Sequence, residues 1–369
     1  MNKDSRSTRL AQYIVAMLPA AHGHQHKALF DFVRALIAER SCCQATLARY
    51  FGNFEAALKR CSRLLHNQRL KIDELARAHA QMILTQLPPV GEVRVAIDWT
   101  IEDKQHLLVA SLIVARRAIP LYWQPFAESE LADKRSKHER EFVRRVVEEV
   151  LVGVARTRLI ITADRGFAAV EMVDVLNDLR VCWVLRVKSS TKIKQDGEWR
   201  RLQSVKFRGN CRRRSVGRLA YCESAPRRVY VTHARARDRT GKWGVWFLIS
   251  NKKWSAVRTT AEYARRFGCE EGFRDAKRLL GFAEARISDL AAWTRMFTLV
   301  AIALLVLVGI GCSLVKQVWV KQVLRRVCSR RTARSEVSMV RAVTELLKDD
   351  QTLWELLDHP AKLNLEACL

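Results

Sequence analysis

From residue 1 to about 88 the apolar positions recur at helical spacing, with almost no strand-like alternation, and the pattern stops at the breaker Pro88-Pro89. This predicts a separate helical domain over 1–88. Within it, a helix through 41–51, a break at Gly52-Asn53 and a second helix through 54–70 have the rhythm of a helix-turn-helix, which would offer Lys59, Arg60 and Arg63 to a DNA groove. Any helical hairpin with a glycine turn reads the same way. After the prolines the texture changes. Residues 91–100, 105–114 and 118–126 are apolar, β-branched runs separated by short polar turns, which predicts an antiparallel meander. Helical spacing over 137–153, a strand over 158–164, a helix over 167–180 and a strand over 181–188 then give an α/β order with both sheet faces covered. Residues 189–255 are irregular and basic with short strand-like runs, a β-rich insertion. After Thr260 the chain reads as helical, with a C-terminal helical region over 319–369.

One run complicates this soluble pattern. Met296 to Val315 holds 20 residues without a charge, flanked by Arg295 and Lys316, which is long enough to cross a bilayer. No second span accompanies it, basic residues lie on both sides, and Gly309 and Gly311 suit a closely packed buried helix equally well. Charge sharpens the picture further. The 369 residues include 65 Lys or Arg against 38 Asp or Glu, a net charge of +27 spread along the whole length. That excludes an ordinary metabolic enzyme and points to a polyanionic partner, nucleic acid ahead of a membrane surface. A hydrophobic fraction of 49% excludes a disordered basic tail. The ten cysteines show no Cys-x-x-Cys spacing, so neither a zinc ribbon nor a disulfide framework is supported, and the expected compartment is the reduced cytoplasm.

Three groups carry candidate chemistry. Asp98 lies in an apolar strand, where a carboxylate costs several kcal/mol unless a cation compensates it. Asp164 ends the strand at 158–164, where Arg165-Gly166 turns the chain out of the sheet, and ligand sites in α/β sheets gather at such strand ends. Singly, each is more often a turn or cap residue. The third group follows Thr259, which with Glu262 forms a capping box that predicts a helix start near Thr260. At about 100° per residue Tyr263, Arg266, Glu270 and Lys277 share one helix face about 21 Å long. A phenol, a guanidinium, a carboxylate and an ammonium on one stripe suit a phosphate backbone and a metal better than a core. Trp243, Trp246 and Trp254, interleaved with Arg and Lys in or beside the insertion, suit stacking of an unpaired base, or equally the packing of the insertion's own small core.

The spacing Tyr263-x2-Arg266-x3-Glu270-x6-Lys277 resembles the Tyr-Arg-Glu-Lys signature of the insertion-sequence-four family of DDE transposases. Asp98 followed by Thr100 resembles that family's first catalytic aspartate, and Asp164-Arg165-Gly166-Phe167 its second, with Phe in place of Tyr. The likeness covers about residues 90–290. It implies an α/β, RNase H-like catalytic core in two parts (90–188 and 256–318) around the β-rich insertion, preceded by an all-helical DNA-binding domain and followed by C-terminal helices. It also implies Asp98, Asp164 and Glu270 around two Mg²⁺ ions, with Mn²⁺ able to substitute, and Tyr263, Arg266, Lys277 and Arg165 on phosphates. The implied activity is cut-and-paste transposition: cleavage of double-stranded DNA at terminal inverted repeats and strand transfer into target DNA by a homodimer. In such a fold the run from Met296 is a buried helix behind the sheet rather than a membrane span. A non-catalytic DNA-binding derivative and a nuclease that only hydrolyses are the competing readings.

Overall fold

A computed structural model describes residues 9–114, 117–205, 212–237, 243–314, 340 and 343–344. Apart from Val340, Val343 and Thr344, the C-terminal helical region expected over 319–369 lies outside the described residues. Five helices open the chain: α1 (Arg9–Met17), α2 (Gly23–Glu39), α3 (Gln44–Arg49), α4 (Phe54–Leu65) and α5 (Ile72–Leu84). The expected helical hairpin is α3–α4, and the Asn53 side chain caps α4 by accepting from the Ala56 N–H at 3.0 Å.

The meander follows as β1 (Val93–Glu102), β2 (Gln105–Val114) and β3 (Arg117–Ala127). Next come α6 (Glu128–Leu131), α7 (Arg135–Arg145), β4 (Leu159–Ala163), α8 (Val170–Asp178) and β5 (Cys182–Val187). The insertion contributes β6 (Lys192–Gln195), β7 (Glu198–Arg201), β8 (Arg213–Tyr221), β9 (Arg227–Arg237) and β10 (Trp243–Ser250). Three helices close the described chain: α9 (Ala256–Arg265), α10 (Phe267–Arg274) and α11 (Leu290–Leu314).

All ten strands form one sheet in the order β3-β2-β1-β4-β5-β10-β9-β8-β6-β7. β1 is antiparallel to β2 and parallel to β4, which is parallel to β5. The insertion does not stand apart, because β10 pairs antiparallel with β5 and carries the same sheet onward. The meander edge is blunted by Pro120 and Pro125 in β3, which lack the N–H a further strand would need.

α11 carries the apolar run, and its residues from Met296 to Val308 are buried. It packs on β3 and on α2, α4 and α5, so it is apolar on every side because every side meets protein. Among the described residues it is the one helix long and apolar enough to cross a membrane, and nearly all of that stretch is buried in the core. Its buried Arg295 donates Nε and Nη1 to the carbonyls of Leu70, in the loop before α5, and Leu65, the last residue of α4, at 2.9 and 2.8 Å. One hydrophobic core therefore runs from α1 through α11 to the sheet. Pro88-Pro89 ends the helical pattern without ending the packing, and Arg158 ties the linker down by donating to the carbonyls of Pro88 and Gly91 at 2.6 and 2.7 Å.

Within this core His79 of α5 meets the Tyr13 hydroxyl at 2.8 Å and the Pro120 carbonyl at 3.0 Å. Burial pulls its imidazole down to about 4 from 6.5. A depressed folded value favours the neutral ring, so this stabilisation is complete above pH 6.5 and is lost as pH falls through 4. The loss should be roughly 3 kcal/mol between those limits. Denaturant titrations at pH 7 and pH 4.5 should show it, and His79→Gln should flatten the difference; an equal pH slope in the variant would exclude His79 as its source.

Candidate active site

Parallel pairing of β1 with β4 sets Ile97 opposite Ala163, so Asp98, in the middle of β1, and Asp164, just past the end of β4, come to lie side by side. Strand alternation puts Asp98 on the face covered by α10, with Ala96, while Trp99 points to the other face and donates Nε1 to Glu139 of α7 at 2.7 Å. Asp164 starts the tight turn 165–167 that follows β4.

The helix that faces these aspartates begins earlier than the capping-box pattern predicts. Ser255 is its N-cap and accepts from the Arg258 N–H at 3.2 Å, so α9 starts at Ala256. The Thr259 and Thr260 hydroxyls bond back to the carbonyls of Ser255 and Ala256, and Glu262 is drawn into a buried ion pair with Arg94 at 2.7 Å. The long-range partner outcompetes the local cap. At Arg266 the helix tightens: its N–H bonds the Tyr263 carbonyl at 3.0 Å, and its own carbonyl accepts from Cys269 at 2.8 Å. α10 then lies so close to β3 that a Cβ on Gly272 would stand 3.0 Å from the Ala118 carbonyl oxygen. A π-helical turn over Asp275–Leu279 follows.

This path brings five predicted residues together. The Tyr263 hydroxyl donates to Asp164 Oδ1 at 2.8 Å. Arg266 donates Nη1 to Asp98 Oδ2 at 2.6 Å and Nη2 to Glu270 Oε1 at 2.9 Å, and its Nη2 stands 4.0 Å from Asp164 Oδ2. Three carboxylates thus surround one buried guanidinium. Burial lifts the Asp98 carboxyl above its usual range, against the pull of Arg266 and the Trp99 N–H. Burial also pushes Asp164 up, but Arg266, the Arg165 N–H and the Tyr263 hydroxyl together hold it below the usual range. Burial raises the Tyr263 phenol, so it stays a donor.

The remaining residues are placed less centrally. Lys277, in the π-turn, reaches the Ile101 carbonyl and Glu102 Oε2 (2.9 Å), three and four residues beyond Asp98 on β1. Arg165 is exposed beside Asp164. Trp246 packs on Tyr263 and Phe267, with ring centroids at 5.3 Å to each, and Trp254 joins that aromatic cluster under the Arg258 guanidinium. Trp243 is three residues from Trp246 on the same strand and so faces away, half-exposed, with the Arg212 guanidinium 5.5 Å from its ring. In α4, Lys59 and Arg63 are exposed, whereas Arg60 folds back to pair with Asp31 at 3.2 Å and to cover the Phe32 and Phe51 rings.

One site residue escapes the motif reading. Arg186 of β5 has its Nη1 3.8 Å from Asp164 Oδ1. Its signal was the same as that of Asp98, a charge inside an apolar strand, but only the β4–β5 pairing shows which neighbour it serves.

Residues 128–306 match the family model of the transposase DDE domain. This supports a DDE transposase. The matched span contains Asp164, Tyr263, Arg266, Glu270 and Lys277, while Asp98 lies upstream of it. Among curated proteins none matches the chain. A transposase DDE domain belongs with polynucleotidyl transferases and endonucleases, acts on DNA, and uses divalent metal. Among the described residues no three acidic, His or Cys side chains form a ready coordination cage. The three carboxylates nevertheless fit a hard divalent cation, because each offers only oxygen and all three already converge within 4.0 Å of one cationic group.

Proposed function

We propose that the chain is a cut-and-paste transposase of the insertion-sequence-four type, with an RNase H-like core built on β3-β2-β1-β4-β5. The observation that carries this reading is the convergence of Asp98, Asp164 and Glu270 on Arg266, with Tyr263 bound to Asp164. Asp98, Asp164 and Glu270 would hold two Mg²⁺ or Mn²⁺ ions. When bound, such ions activate water or a 3′-hydroxyl and stabilise the leaving oxygen. Tyr263 fixes the orientation of Asp164. Arg165, Arg186 and Lys277 line the approach with positive charge for the phosphates flanking the cut. Trp246 and Trp254, on the carboxylate side of the sheet, are better placed than Trp243 to stack on a base unpaired near the cleavage point.

The exposed Lys59 and Arg63 of α4, with the helices over 1–88, would read the terminal inverted repeats. A homodimer would hold two ends, and the enzyme would work on cytoplasmic DNA. A purely hydrolytic nuclease would need the same carboxylates, so joining of a 3′ end to target DNA separates the two readings.

The test is a gel assay of the full chain on the DNA flanking its own gene, with Mg²⁺ or EDTA. Metal-dependent nicking at both flanks with a strand-transfer product is expected; specific binding without cleavage would favour a non-catalytic DNA-binding protein. Binding itself should weaken steeply with salt as counterions are released, by about 10³-fold or more between 50 and 200 mM if six or more phosphates are contacted. A flat salt response in an anisotropy titration would exclude the basic surface as the DNA contact.

A further inference from the structure

Arg266, the cation at the centre of a site for phosphodiester chemistry, is only 3% exposed in the folded chain. Two of its three nitrogens are committed to carboxylates, to Asp98 at 2.6 Å and to Glu270 at 2.9 Å, and its Nε is buried without a hydrogen-bond partner. The aromatic rings of Tyr263 and Phe267, which meet each other edge to face, both pack against it, each centroid 5.5 Å from Cζ. No phosphate reaches a group so enclosed without its release.

Release has a cost that decides when it happens. Asp98, Asp164 and Glu270 carry up to three negative charges toward one point, and Arg266 and the more distant Arg186 bring positive charge to it. Withdrawing the guanidinium alone would leave three partly buried carboxylates repelling one another. Another cation must take its place.

We infer that Arg266 is an internal counter-ion, exchanged for divalent metal: it holds the three carboxylates together before metal arrives and is freed toward a phosphate as metal takes them. The inference rests on the metal-dependent reading of the site. It makes metal binding and DNA binding cooperative, since each favours the state in which Arg266 has left the carboxylates. It also explains why the carboxylates close on a side chain rather than standing open as a cage.

The experiment measures binding of Mn²⁺ alone to the full chain by titration calorimetry, in the unaltered protein and in Arg266→Gln, Arg266→Lys and Asp98→Asn. Removing the competing cation should make Arg266→Gln bind Mn²⁺ about ten-fold tighter or more. Arg266→Lys, whose single point charge cannot bridge three carboxylates, should fall between and serves if the glutamine variant does not fold. Asp98→Asn should bind Mn²⁺ far more weakly. In a second readout, Ca²⁺ should raise the affinity of the unaltered chain for a duplex several-fold and should not do so in Arg266→Gln. Unchanged or weaker Mn²⁺ binding in both Arg266 variants, with binding still lost in Asp98→Asn, would overturn the exchange and leave the metal site standing. Mn²⁺ binding that survives Asp98→Asn unaltered would instead overturn the metal reading itself, and the exchange with it.

Discussion

Asp98→Asn is expected to remove strand cleavage, by about 10³-fold or more, while leaving duplex binding measured in EDTA within about a factor of three. The substitution keeps the shape of a side chain that sits beside Asp164 on adjacent parallel strands and 2.6 Å from Arg266. It removes one of the three charges that would hold metal, and groups of one such site fail as a unit rather than in proportion. Stability should change little, because the lost ion pair with Arg266 is offset by relief of repulsion among three carboxylates, two of which still face the guanidinium. Glu270→Gln should behave in the same way. Cleavage on a sequencing gel, with binding by anisotropy and melting by calorimetry on the same preparations, separates the cases. Cleavage retained in either variant would remove that residue from the site, and binding lost in parallel would mean it serves the fold.

Phe297→Ala should carry the largest cost in stability, about 3–5 kcal/mol. Phe297 of α11 is 1% exposed, and its ring meets Trp123 of β3 at 5.4 Å and Phe282 at 5.3 Å. Truncation would open a cavity where the sheet, the chain after the candidate active site and α11 meet. Since α1 to α5 share this core, their unfolding should move together with that of the sheet. Guanidinium titration followed by far-ultraviolet dichroism and by tryptophan fluorescence should give coincident transitions, both shifted in the variant. Two separate transitions in the unaltered chain would show that the helices before Pro88 fold on their own, and a loss below about 1 kcal/mol would place Phe297 outside the shared core.

The legible part of this protein is its local part. Apolar, β-branched runs over 91–126 predicted β1, β2 and β3, and the Gly52-Asn53 break predicted the α3–α4 turn, because β-propensity and turn chemistry act within a few residues. The Tyr263, Arg266, Glu270 spacing was legible for the same reason: one helical path sets where its side chains emerge. Yet even there the cap moved to Ser255, since Arg94, 168 residues away, claimed Glu262. Parity along β10 separates Trp243 from Trp246, but that rule could be applied only once the strand was known.

Composition and spacing thus indicated the meander, β4 and β5 with the helices between them, the strongly positive net charge and the residues with side chains suited to acid and phosphate chemistry. Whether α11 lies in a bilayer or a core, that β10 extends the main sheet, that Asp98 and Asp164 are neighbours, that Arg186 serves Asp164 and that Arg266 sits among three carboxylates were decided by the tertiary structure alone. Each depends on which distant segment comes to pair or pack, a competition between non-local contacts that no periodicity within one segment encodes.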